Sequence, residues 1–220
     1  MTSGGDGRCG TGHTETSVAM SGDVLVRRHT VAMRIYVPVT LDELEPAVVA
    51  GSTARWTLTP RRAHAVTPSL AAALRDEDEE GREYAAFLAA ADDSLALVAA
   101  RAGVPPLRAV VTLEVPDSAV VVPNGGGFDG GADDGQTAPS LVFVTREVPD
   151  LPIVAVHVDE PEAAEDVRAV LAAADEESDA EASSDVAVES DAVLDDALQR
   201  VTDRDLLWYD GSEVHDIPRP

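Results

Sequence analysis

Apolar and polar residues alternate along the first patterned stretch of the chain. Met33, Ile35 and Val37 fall on one side, and Arg34 and Tyr36 fall on the other. A period of two is typical of a half-buried β-strand. The pattern starts abruptly at a methionine, after about thirty residues without periodicity, so we expect the folded domain to begin here.

A helix is predicted directly after this strand. Thr40 is followed three residues later by Glu43, the spacing of a capping box, and Gly51 could end the helix. A second strand is expected at 61–67. Because a helix would join the two strands, we expect them to lie parallel in one sheet.

The strongest helical pattern covers residues 83–102. Its larger apolar residues recur every three or four positions and form one face. These residues are Tyr84, Phe87, Leu88, Leu95 and Val98. Gly103 and Pro105 then favour the end of this helix.

Further strands and helices are predicted from the rest of the pattern. Strands are expected at 107–115, 119–122, 141–148 and 152–158, and helices at 161–174 and 193–201. The turn Pro149-Asp150 suggests a hairpin between the last two of these strands. The order of elements predicts an α+β fold. We expect a mixed four- to five-stranded sheet with helices packed mainly on one face, loosely ferredoxin-like.

Composition divides the chain into one domain and three polar segments. Residues 1–30 are expected to be a disordered tail, and 31–217 a single domain. Within it, 123–139 holds six glycines and three aspartates and is expected to be a flexible loop. Residues 175–190, rich in acids, are expected to be a linker.

The charge of the chain excludes several function classes. The formal net charge is −25, which argues against binding to nucleic acid or to anionic membranes. All sixteen basic residues are arginines, so no lysine can form a Schiff base or serve a phosphate-binding loop. Only one cysteine, Cys9, is present, and no apolar run is long enough to span a membrane. We therefore expect a cytoplasmic protein.

Both ends of the expected domain resemble a known family. The stretches are Met33-Arg-Ile-Tyr-Val-Pro-Val-Thr-Leu and Leu206-Leu-Trp-Tyr-Asp-Gly-Ser-Glu-Val, with Ala65-Val-Thr-Pro and Ala155-Val-His-Val-Asp between them. Together they are similar to a family of uncharacterised actinobacterial proteins that is catalogued only as a domain of unknown function. The resemblance covers about residues 33–217. It implies no activity, substrate or catalytic residue.

No established catalytic or cofactor motif stands out. Gly125, Gly127 and Gly130 have the spacing of a dinucleotide-binding loop, but acids follow where a helix should begin. No histidine pattern predicts a metal site, and no serine lies in a nucleophile elbow. We therefore assign no catalytic residue, no metal ligand and no cofactor. Candidate binding residues are Arg34, Tyr36, His64, His157, Trp208 and Tyr209.

Three arginines around Trp56 form the most basic window of the sequence: Arg55, Arg61 and Arg62. They could form an exposed anion-binding patch. Alternatively, they pair with acids brought close by the fold, which we regard as the simpler interpretation.

Two functional hypotheses follow from these observations. The first is a non-enzymatic binding or regulatory module that acts through a protein partner, because no catalytic motif is present and the surface is acidic. The second is a small-molecule-binding domain or enzyme with its site at the strand ends. That site would lie near Tyr36, His64, His157 and Trp208. A pocket that joins two or more of these around a titratable group held away from bulk water would favour the second hypothesis. A filled sheet face with these side chains packed dry would favour the first. The sequence does not predict the oligomeric state.

Overall fold

The computed structural model describes residues 32–123, 138–180 and 184–220 of the chain. Nine strands are present there: β1 (Ala32–Val39), β2 (Val48–Ala50), β3 (Thr53–Leu58), β4 (Arg61–His64), β5 (Ala109–Pro116), β6 (Val120–Val121), β7 (Leu141–Val144), β8 (Val148–Asp159) and β9 (Leu206–Asp210). Four α-helices accompany them: α1 (Pro68–Ala73), α2 (Glu79–Ala99), α3 (Ala164–Ala180) and α4 (Ser184–Thr202). The predicted tail at 1–30 and residues 124–137 of the predicted loop, with its six glycines, lie outside the described residues.

All nine strands belong to one sheet, and every pairing in it is antiparallel. The order is β2-β3-β8-β5-β1-β4-β7-β6, and β9 pairs with β8. The prediction of a mixed four- to five-stranded sheet, loosely ferredoxin-like, is therefore wrong. Only its broader α+β character agrees with the structure.

Pro46 explains the largest error in the predicted topology. Residues Leu41–Leu44 form one 3₁₀ turn instead of a helix, and the Thr40 side chain does not cap the backbone. Proline has no N–H to donate to the next hydrogen bond of a helix, so the turn does not continue as an α-helix. The chain instead enters the β2–β3 hairpin at Val48, and no helix joins β1 to β4.

The strands after the long helix also pair differently from the prediction. The expected hairpin around Pro149-Asp150 does not form, because β7 pairs with β4 and β6, not with β8. Asp150 lies within β8 and has a positive φ of 57°. Strand β8 is twelve residues long, and its two halves pair with β3 and β9.

The main core lies on one face of the sheet. Alternate residues of the central strands, such as Ile35, Val37 and Leu113, are fully buried there. Strand β3 contributes Ala54, Trp56 and Leu58 to the same cluster. Leu41 and Leu44 of the 3₁₀ turn are fully buried in this cluster, and Val214 and Ile217 near the carboxyl terminus join them.

Helix α2 covers the other face of the sheet. Its small residues Ala86, Ala90 and Ala91 are buried with Tyr36 of β1 and Val110 of β5. Alanines bring the helix close to the strands at this end. The larger residues nearer its amino terminus leave room for a cleft.

Helices α3 and α4 pack against each other and against the end of α2. Val98, Val167 and Val201 belong to their shared cluster. The predicted acidic linker at 175–190 is helical over most of its length, since α3 runs to Ala180 and α4 begins at Ser184. The two helices lead the chain back to β9, beside the cleft.

Candidate functional site

A cleft of about 810 Å³ opens between α2 and the sheet. Its volume lies within the roughly 300–1,000 Å³ typical of small-molecule sites. Four of the chain's eight Phe, Tyr and Trp residues line it: Tyr36, Tyr84, Phe87 and Trp208. In a chain so poor in aromatic residues, this concentration marks the cleft as an unusual surface.

The helical wall of the cleft follows from spacing along α2. Tyr84, Phe87 and Leu88 are three and four residues apart, so their side chains share one face. Asp78 caps the helix by accepting a hydrogen bond from the Gly81 N–H at 2.9 Å. The cap fixes the first turn of α2 at the mouth of the cleft.

The sheet wall follows from strand register. Tyr36 of β1 lies opposite Thr112 of β5, and His157 of β8 lies opposite Trp208 of β9. Thr112 also pairs with Ala155, two residues before His157. Side chains at alternate positions share a face, so all of these point toward α2.

Phe87 is the centre of the aromatic lining. Its ring centroid lies 4.8 Å from the ring of His157 and 6.2 Å from that of Tyr36, both edge-to-face. Tyr84 stacks on it at 6.1 Å. These geometries are the ones that aromatic pairs prefer. The lining is therefore a rigid platform contributed by a helix and two strands.

Two polar groups on the sheet wall have no hydrogen-bond partner. Thr112 is only 5% exposed, yet its Oγ1 is unpartnered. The Nδ1 of His157 is likewise buried and unpartnered. A buried polar atom left unpaired costs about 1–3 kcal/mol.

Burial shifts the proton equilibria of two groups in the cleft. Desolvation lowers the pKa of His157, which keeps its ring neutral. Burial raises the pKa of Tyr36 to about 12, and the nearby Glu83 carboxylate adds to the effect. Both side chains are therefore uncharged at neutral pH and present hydrogen-bonding groups without charge.

Every arginine of the cleft is already paired with carboxylates. Arg34 contacts Glu83 and Glu114, each at 3.4 Å. Arg204 contacts Asp166 at 2.7 Å and also pairs with Glu160. These cations are neutralised by the fold itself.

Arg108 forms a buried ion pair at the back of the cleft. Its Nη2 lies 2.8 Å from Asp159 Oδ1, and the two side chains are 4% and 0% exposed. Its Nη2 also donates to the Arg204 carbonyl at 3.0 Å. This pair joins β5 and β8 to the segment that enters β9.

Three carboxylates at the cleft have no arginine partner among the described residues. They are Asp78, Glu80 and Asp205. Two lie at the start of α2, and the third precedes β9. The mouth of the cleft is therefore negatively charged.

The structure brings together four of the six candidate binding residues. Arg34, Tyr36, His157 and Trp208 line the cleft. Tyr209 does not, because it follows Trp208 in β9 and packs against the core on the opposite face. His64 lies on β4, away from the cleft.

His64 belongs to a buried hydrogen-bonded chain. Its Nδ1 lies 2.8 Å from Ser140 Oγ, and its Nε2 lies 3.1 Å from Asp93 Oδ2. The hydrogen bond from His64 lowers the pKa of Asp93. Serine, histidine and aspartate also form hydrolase triads, but Ser140 is 2% exposed, so its hydroxyl cannot reach a substrate. These hydrogen bonds instead connect β4 to α2 and to the residue that precedes β7.

The basic window near Trp56 pairs with acids, which confirms the simpler interpretation of its sequence. Arg55 contacts Asp150 at 2.9 Å, and Arg62 lies 3.8 Å from Asp93. Arg61 Nη1 lies 2.6 Å from a Glu43 carboxylate oxygen, an ion pair by distance that lacks hydrogen-bond geometry. The three arginines are thus occupied within the fold.

Thr112 and Phe87 line the cleft but are not among the candidate binding residues from the sequence. Thr112 follows Val110 and Val111 in a strand that is buried on both faces. A polar residue in such an apolar run is the sequence feature that could have identified it as a site residue. Phe87 has the helical spacing of a core residue, and that spacing cannot distinguish a core from a pocket lining.

The described residues contain neither a group of metal ligands nor a membrane-spanning helix. No group of three or more His, Cys, Asp or Glu side chains is placed to hold a metal ion. No helix in the described ranges is long and apolar enough to cross a membrane.

Comparison with known proteins yields one match. A family model described as a family of unknown function, DUF6912, matches residues 33–217. No curated protein and no solved structure matches this chain.

Proposed function

The chain belongs to DUF6912, a family of unknown function, and we propose from its cleft alone that it binds a small organic molecule. The molecule would have a flat apolar body, held between α2 and strands β5, β8 and β9. This is the second of the two hypotheses drawn from the sequence. The proposal concerns binding and names no reaction.

The observation that carries this proposal is the unpartnered Thr112 Oγ1 at the base of an aromatic cleft. The residue is almost fully buried, and a valine there would fill the same volume without the cost of an unpaired hydroxyl. A ligand group that hydrogen-bonds to the Thr112 hydroxyl would remove the cost of leaving it unpaired. Flat apolar atoms would then lie against Phe87.

The alternative of a protein-binding module is less well supported. A dry sheet face would have favoured it, whereas Tyr36, His157 and Trp208 surround an open cleft. A protein partner, a cytoplasmic location and the absence of nucleic-acid binding remain predictions from the sequence. The negative mouth of the cleft agrees with the last of these.

A thermal-shift screen with small aromatic compounds tests the proposal. A ligand raises the melting temperature according to its concentration relative to Kd. We expect at least one compound to stabilise the protein. The Trp208→Ala variant should lose most of that shift, because it removes one wall of the cleft.

Leu207→Ala is the matched control for this screen. Leu207 is the neighbour of Trp208 in β9 and is 43% exposed, but it does not line the cleft. It should retain the full ligand-induced shift. If no aromatic compound stabilises the protein, or if both variants respond alike, the proposal is wrong.

A further inference from the structure

Two exposed aromatic side chains stand on different walls of the cleft. Trp208 of β9 is 60% exposed and Tyr84 of α2 is 54% exposed. One face of Tyr84 stacks on Phe87, and the rest of its ring is open. Both residues line the cleft, so their exposed rings are open to a molecule bound there. Their π faces are also the surfaces that attract cations.

The charges around these rings favour a cation. The three arginines of the cleft are all engaged in ion pairs, whereas Glu80 and Asp205 have no arginine partner in the described part of the chain. Glu80 lies one helical turn before Tyr84, and Asp205 lies three residues before Trp208. Each exposed aromatic residue thus has an unpaired carboxylate close by in the chain.

An anion has no comparable place to bind. The amino terminus of α2 would attract one, but the Asp78 side chain already accepts the Gly81 N–H there. Glu79 and Glu80 fill the rest of the first turn with negative charge. A phosphate or carboxylate ligand would meet repulsion at the mouth and no free arginine inside.

We propose that the ligand of this cleft is an organic amine, with a cationic ammonium group held at the mouth by Trp208, Tyr84 and the carboxylates of Glu80 and Asp205. Its apolar body would extend inward to Phe87. This inference rests on the proposed function, because it names the chemical class of the molecule bound at the same site.

Three compounds with the same phenylethyl body test the charge preference. They are 2-phenylethylamine, which is a cation, 2-phenylethanol, which is neutral, and 3-phenylpropionate, which is an anion. Binding to the full chain is measured by NMR titration at low ionic strength. Cation–π contacts and one nearby carboxylate should make the amine bind roughly tenfold more tightly than the alcohol. The propionate should bind most weakly.

Neutralising one carboxylate should remove part of this preference. In Glu80→Gln, the affinity for the amine should fall about fivefold while the affinity for the alcohol stays unchanged. Glu79→Gln is the matched control, since Glu79 is also an exposed acid in the first turn of α2 but does not line the cleft. The preference for the amine over the alcohol, and the loss of affinity in Glu80→Gln, should both become smaller as salt is added.

The outcomes separate this inference from the proposed function. If the alcohol binds as tightly as the amine, the cation preference is wrong and the small-molecule site stands. The same holds if Glu80→Gln and Glu79→Gln have equal effects. If none of the three compounds binds, or if the propionate binds best, both the site as proposed and the preference for amines are refuted.

Discussion

Replacing Thr112 by valine should stabilise the protein. Valine keeps the branched shape and the β-propensity of threonine, and it removes a hydroxyl that is 5% exposed and has no partner. An unsatisfied buried hydroxyl costs about 1–3 kcal/mol. We therefore expect the free energy of unfolding to rise by about 1–2 kcal/mol, measured by urea denaturation with linear extrapolation.

Thr67→Val is the matched control, and it should have the opposite sign. Thr67 is also buried, at 1% exposed, but its hydroxyl accepts from the Leu70 N–H at 3.0 Å and donates to the Pro139 carbonyl. The same substitution there removes a helix cap and leaves a carbonyl unpaired, which should cost about 2 kcal/mol.

The difference in stability between the two variants tests whether the Thr112 hydroxyl is unpaired in the folded protein. A difference of about 3–4 kcal/mol between them is expected from these contributions. If Thr112→Val destabilises the protein as much as Thr67→Val does, the Thr112 hydroxyl must be hydrogen-bonded in the free protein. The main argument for ligand binding in the cleft would then be lost.

Three further substitutions test the framework around the cleft. Ser94→Ala should destabilise the protein by about 2–3 kcal/mol in urea denaturation, because the Ser94 hydroxyl bridges backbone groups of β1 and β5 at 2.9 and 2.8 Å; Ser69→Ala, on an exposed position of α1, should stay within about 0.5 kcal/mol. Arg108→Met should cost about 3–5 kcal/mol by the same assay, because it leaves Asp159 charged and buried, and a loss below 1 kcal/mol would contradict the buried pair. His157→Phe should flatten the pH dependence of the free energy of unfolding. Because the pKa of His157 is lowered in the folded protein, the unfolded chain takes up the proton first as the pH falls. The contribution of His157 to wild-type stability is therefore full above about pH 6.5 and is lost as the pH drops below it. Urea denaturation at several pH values measures this, and an equal change of stability with pH in both proteins would contradict the lowered pKa of His157.

Local elements could be predicted from the sequence with fair success. The strand that begins near Met33 is the central strand β1, between β5 and β4. The helix predicted at 83–102 agrees with α2 (Glu79–Ala99) to within a few residues. The strands predicted at 107–115 and 152–158 correspond to β5 and to most of β8. Each of these depends on residues close together in the chain.

Long-range pairing could not be predicted in the same way. Strand β8 has twelve residues and pairs with β3 over 148–152, with β5 over 153–158 and with β9 over 155–159. No local pattern specifies which strand lies at each edge. The β3 strand was missed although Ala54, Trp56 and Leu58 alternate with exposed residues. The helix predicted after β1 includes Pro46. The predicted parallel arrangement of β1 and β4 depended on that helix and is wrong for the same reason.

The candidate site could be predicted in part for a physical reason. Arg34 and Tyr36 belong to the polar side of an alternating strand, so they had to face something other than the main core. His157 and Trp208 converge with them only through the register of β5, β8 and β9. His64 has the same type of sequence signal as His157, but its partners Ser140 and Asp93 come from distant segments.

The most direct test of a ligand site in the cleft is a fluorescence titration with 2-phenylethylamine. The chain has two tryptophans, of which Trp208 lines the cleft and Trp56 is buried elsewhere. We predict a saturable change in tryptophan emission for the wild-type protein and no change for Trp208→Phe. A titration without any change in the wild type, or an equal change in both proteins, would contradict the account.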